Sequence, residues 1–307
     1  ILIIVGAYYV ISDKLLNESN FDSFLWMERF KILGAASLSF ILLLFLFTLV
    51  NWTLEILKWK ALVKYVSQIS FTNASKQSLA SLTASLLTPN RIGEYGAKAI
   101  YYNKGNRPKI MMLNFLGNAH QMIVTIIFGS IGLLMLGELF SFPASQNTSI
   151  LVITALLTLC LFALVILQKK LTPRFQKILR GFLKIPFSIH KKTFLYAVGR
   201  YLIFSHQFYF FLLFFGVDLE YHIAMPLIVS MYLISSVIPG FVVFDWLVKG
   251  SVAVTLFRFF GIDDIIVLSI TASMWMLNFA LPAIIGSFYV LTFNSRTLVY
   301  NEPKLRE

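Results

Sequence analysis

Long apolar runs separated by short polar segments set the pattern of this chain. Runs at 32–57, 110–137, 150–167, 194–215 and 265–293 match the length, about 20 residues, that a helix needs to cross a bilayer. Residues 1–11 read as the visible part of another span, because the chain opens without Met and the start looks clipped. They could also be the core of a signal peptide, but no small-residue cleavage site follows Ser12-Asp13-Lys14. The pattern predicts an all-α, polytopic transmembrane helical bundle of about six spans.

Two stretches interrupt that pattern. The apolar segment 74–87 is too short to cross, and Pro89, Arg91, Gly93, Glu94, Gly96 and Lys98 follow it closely. Pro89 removes a backbone donor and Gly93 and Gly96 loosen the chain, so one continuous helix is not expected. Residues 74–102 predict a re-entrant hairpin folded at Pro89-Asn90. Irregular backbone at membrane depth has to be buried in protein or line a watery cavity. A helix restarting near Ile92 would put Glu94 and Lys98 four residues apart on one face. They then form either a self-neutralised helix start or a functional pair. Residues 223–260 form a second interrupted pair, broken at Ile238-Pro239-Gly240, with Asp245 and Lys249 again four apart. Its arms leave open whether it re-enters or crosses fully.

Polar positions refine the picture. Asn114, Asn118, Gln121 and Thr125 recur at helical intervals within 110–137 and share one face, as helix–helix glue or as cavity lining. Between 168 and 192 there are eight Lys or Arg and no acid. Leu171, Phe175, Ile178, Phe182 and Ile185 recur there at helical spacing opposite Arg174, Lys177 and Lys184. That segment predicts an amphipathic helix lying on an anionic leaflet. Trp52 and Trp59, with Lys58, Lys60 and Lys64, read as a basic membrane interface.

Composition bounds the class. Of 307 residues, 58% are hydrophobic and 13% charged, with a mean hydropathy of +0.78, so the spans leave no room for a separate soluble domain. The chain reads as one integral membrane domain, 1–307. The net charge of +12 sits at span ends, which points to lipid headgroups and away from nucleic acid. Cys160 is the lone cysteine, and His120, His190, His206 and His222 have no ligand spacing, so neither a disulfide, a metal nor another cofactor is expected. An intramembrane enzyme would need a nucleophile set, and no Ser/His/Asp arrangement has plausible spacing.

The basic segments 58–64, 104–109, 168–192 and 296–306 belong to the cytoplasmic side by the positive-inside rule. The acidic or base-free segments 138–149, 217–222 and 261–264 belong outside. Both termini are then cytoplasmic, in a cell's inner (plasma) membrane. Span–hairpin–span at 32–137 recurs upside down at 194–293, an inverted repeat of the kind that many transporters use.

Pro89-Asn90-Arg91-Ile92-Gly93-Glu94 resembles the Pro-x-Arg-x-Gly-Glu signature of the lysylphosphatidylglycerol synthase transmembrane-region family, a flippase-like group. Pro239-Gly240 followed by Asp245 is similar to that family's later Pro-Gly-Gly-x-Gly-x-x-Glu segment, with Phe and Val at glycine positions and Asp as the acid. The resemblance implies movement of a lipid or lipid-linked anionic group between leaflets. Lysyl transfer is not implied, because no acyltransferase-like domain follows the last span. Arg91, Lys98, Lys249 and Arg258 are the expected phosphate-neutralising bases. Glu94 and Asp245 are expected to line one polar cavity with Arg91, and Asn114, Asn118 and Gln121 to face it. The alternative is a scaffold or partner subunit of a lipid- or glycan-modifying enzyme.

Overall fold

The computed structural model describes residues 31–32, 35–86, 88–89, 91–139, 181–182, 184–238 and 244–293. The regular elements among them are all helices. In chain order these are α1 (Ala35–Val63), α2 (Phe71–Ser85), α3 (Ile92–Ala99), α4 (Arg107–Leu139), α5 (Phe187–Phe214), α6 (Tyr221–Val237), α7 (Asp245–Arg258) and α8 (Asp264–Leu291). Among the described residues, three stretches are long and apolar enough to cross a membrane: Ser37–Val63, Arg107–Gly137 and Asp264–Leu291. Helix α5 is 28 residues long but more polar. The runs at 1–11 and 150–167, and 168–192 up to residue 180, lie outside the described residues.

Leu38, Leu42, Leu46 and Leu49 on α1 are exposed at helical spacing, as are Ile284, Phe288 and Leu291 on α8. Apolar belts of that extent are rare on proteins bathed in water and suit a lipid solvent. The opposite faces pack inward. Helix α1 lies along α5, α4 packs on α6, and the C-terminal half of α8 packs on α2, while α7 rests on the N-terminal half of α8. Small residues allow two of these approaches. A Cβ on Gly132 of α4 would come within 2.4 Å of Val229 on α6, and one on Gly286 of α8 within 2.2 Å of the Leu79 carbonyl on α2.

Both helix breaks form, with details that the pattern alone did not supply. Helix α2 stops at Ser85 and α3 restarts at Ile92; α6 stops at Val237 and α7 restarts at Asp245. Pro239 and Gly240 lie outside the described residues. Helix α1 runs past residue 57 to Val63, so Trp52, Lys58 and Trp59 sit inside it. They are buried, not displayed at an interface, because Lys58 meets an acid one turn back and Trp59 covers another base. At the end of the basic segment Ile185 is also buried in protein, and the Phe182 ring packs tilted against Phe115 of α4, with centroids 5.7 Å apart. Those two apolar side chains rest on the bundle, and Lys184 is exposed.

Candidate functional site

The turn between α2 and α3 is built by its own sequence. The Thr88 hydroxyl accepts from the Gly93 N–H at 2.9 Å, satisfying a donor left open by the helix start. A Cβ on Gly93 would lie 2.4 Å from the Ala84 carbonyl, so only glycine lets α3 begin this close to the end of α2. Arg91 has φ of 59°, and it alone has a positive φ among the described non-glycine residues. For an L-residue that conformation costs about 1–2 kcal/mol. The turn holds the guanidinium where its Nη2 meets Glu94 at 3.1 Å.

Glu94 is shared. Lys98, one turn on, donates to its Oε1 at 2.7 Å and to Asn114 Oδ1 of α4 at 2.8 Å. The same ammonium lies 4.4 Å over the ring of Trp59, whose Nε1 donates to Gln77 of α2 at 2.7 Å. Glu94 and Lys98 are both 2% exposed. A second group has the same composition. Glu55 of α1 meets Lys58 at 2.6 Å and Arg200 of α5 at 2.5 Å. Gly117 of α4 leaves room there: a Cβ would lie 2.8 Å from Leu62 and 3.7 Å from the Lys58 chain. In each group one carboxylate holds a buried lysine behind it and an arginine in front.

Both arginines face one cavity of about 390 Å³, which Asp245 and Lys249 also line. Lys249 donates to Asp245 at 2.6 Å and lies 5.4–5.9 Å from the rings of Phe204, Tyr232 and Phe279. Such contacts are worth about 0.5–2 kcal/mol each and fix the ammonium beside its acid. Gln121 and Thr125 line the cavity from α4 and Ser235 and Ser236 from α6. The volume lies within the range of ligand pockets, about 300–1,000 Å³, and near its small end.

The expected site residues therefore divide. Arg91, Asp245, Lys249 and Gln121 come together on the cavity. Glu94 and Lys98 do not line it; they stand behind Arg91, because Lys98 is drawn to Asn114 and Trp59. Asn118 also misses the lining and reaches the Tyr95 hydroxyl of α3 at 3.4 Å. The polar stripe of α4 thus serves both roles, with Asn114 and Asn118 as glue to α3 and Gln121 and Thr125 as lining. Arg258 lies apart, its side chain exposed and paired with Asp264 at the far end of α7.

Arg200, Tyr232 and Asn51 are lining residues that sequence reasoning missed. The one available signal was Arg200 itself, a single charge near the start of a largely apolar run. Asn51 joins a buried network in which its Nδ2 donates to Asn278 Oδ1 at 2.8 Å and Asn278 Nδ2 to Gln207 Oε1 at 2.9 Å. Pro282 lacks the N–H that would bond to the Asn278 carbonyl one turn back, and α8 widens into a π-helical segment at Met276–Ala280. The freed carbonyl accepts from Trp52 Nε1 at 3.0 Å. The helix fault thereby ties α8 to α1.

Fold and site together define a protein that is helical in its described residues, three of whose helices there are long and apolar enough to cross a membrane, with a charged cavity among them. No family model, curated protein or solved structure matches the chain.

Proposed function

We propose that this protein moves a lipid, or a lipid-linked anionic group, between membrane leaflets, with the headgroup held in the cavity between Arg91 and Arg200. The observation that carries the reading is the convergence of two arginines from separate elements on one cavity near the two helix breaks. Guanidinium groups bind phosphate bidentately, and a small cavity accepts a headgroup while acyl chains stay in lipid. The Asp245–Lys249 pair adds a neutral contact to the same cavity.

The packing supports two related units, α1–α4 and α5–α8. The last helix of each unit packs on the first arm of the other's hairpin, α4 on α6 and α8 on α2. Both crossings bring a glycine of the long helix against the partner helix. With the loop charges, this favours the inverted repeat, six spans and cytoplasmic termini in the inner membrane. In such a repeat, the cavity lies where the broken helices approach.

Leaflet exchange of fluorescent phospholipids by purified protein in vesicles tests the proposal. Wild type should accelerate exchange, and Arg91→Gln should lose most of that acceleration with its melting temperature kept, since Glu94 retains Lys98. A folded wild type that moves no lipid would overturn the reading in favour of a scaffold.

A further inference from the structure

Resting on the headgroup reading above, we infer that the cavity selects a phosphate group with two negative charges, a phosphomonoester or a diphosphate, over a singly charged phosphodiester. The argument is a charge count. Glu55 is shared by Lys58 and Arg200, and Glu94 by Lys98 and Arg91, so each group keeps one positive charge. Asp245 and Lys249 cancel. Five bases against three acids leave an excess of two positive charges around one cavity.

The excess is presented on one side. The Lys58 and Lys98 side chains are 3% and 2% exposed, whereas those of Arg200 and Arg91 are 17% and 33% exposed and line the cavity. The Nε of each arginine has no hydrogen-bond partner among the described residues. Tyr232, a residue 6% exposed, lines the same cavity, and its buried hydroxyl is likewise without a partner among the described residues. The accessible parts of the two guanidinium side chains, which line the cavity beside this surplus positive charge, ask for an acceptor-rich anion. A ligand with one charge leaves half of the excess unmet, whereas one with two charges neutralises it. A phosphomonoester carries about −1.5 to −2 at neutral pH. Asp245 does not oppose it, because Lys249 holds that carboxylate.

The test compares two water-soluble lipids with identical tails, dihexanoyl phosphatidic acid and dihexanoyl phosphatidylglycerol, by calorimetric titration of the full-length protein in detergent. The phosphomonoester should bind at least about tenfold more tightly, given one further Coulombic interaction at reduced dielectric. Arg91→Gln and Arg200→Gln should each bring the ratio towards one, since each leaves a neutral lysine–glutamate pair. Lys58→Met lowers the same charge while leaving both cavity arginines in place, and it too should reduce the ratio. Unchanged melting temperatures confirm that the variants are folded. Equal binding of both lipids by wild type, or a full ratio in Lys58→Met, would overturn the two-charge inference and spare the headgroup reading. No binding of either lipid by folded protein would overturn both. Inorganic pyrophosphate binding as tightly as phosphatidic acid would make the ligand a soluble anion and overturn the lipid source.

Discussion

The two carboxylates that each hold a lysine and an arginine carry unequal weight in the two directions of substitution. Removing Arg91 leaves Glu94 paired with Lys98, whereas removing the Glu94 charge leaves two bases facing each other with no acid between them. Breaking a buried pair from one side costs about 3–5 kcal/mol. Glu94→Gln is therefore expected to lower the melting temperature far more than Arg91→Gln does. Adding Lys98→Met to Glu94→Gln should recover much of the loss, and thermal unfolding of the purified variants measures it. A small effect of Glu94→Gln on stability, together with lost lipid exchange, would instead make the acid part of the transport step. The same comparison applies at Glu55, where Glu55→Gln strands Lys58 and Arg200.

At the scale of elements, the helix crossings depend on where side chains are missing. Gly286 brings α8 onto the backbone of α2, and the Thr83 hydroxyl donates to the Ala283 carbonyl across that contact at 2.8 Å. A leucine at 286 would strike backbone that cannot turn aside, since the nearest atom is the Leu79 carbonyl oxygen. Overpacking of this kind costs about 1–3 kcal/mol, and Gly286→Leu should lower thermal stability by that order. Gly105 has open space around it, so Gly105→Ala should leave the melting temperature unchanged and serves as the control. The π-helical segment makes a related prediction. Pro282→Ala restores an N–H that competes for the Asn278 carbonyl, and Trp52 fluorescence should shift as its indole loses that acceptor.

For the whole molecule, the loop charges make the orientation testable. A single cysteine at position 177, in a Cys160-free background, should resist labelling by a membrane-impermeant maleimide applied outside intact cells. Efficient labelling there would invert the proposed topology and put the basic segment outside. The surface agrees with a lipid solvent: the exposed leucines of α1 and the outer face of α8 form apolar belts, and charge collects around the cavity and at helix ends.

Hydropathy and helix-breaking residues determined the helical class and the two interruptions among the described helices, because bilayer length and backbone donors are local properties of the chain. Arg91, Asp245 and Lys249 were likewise legible, since a charge or a close charge pair beside a helix break is unusual in so apolar a chain. What only the tertiary structure decided is which charges share a site. Arg200 and Glu55 lie 145 residues apart in sequence and meet because α1 lies along α5. Lys98 turns away from the cavity because Trp59 and Asn114 wait on neighbouring helices. Helical period assigns a residue to a face, but the partner of that face is set by which helix packs there, and no local pattern in the sequence carries that information.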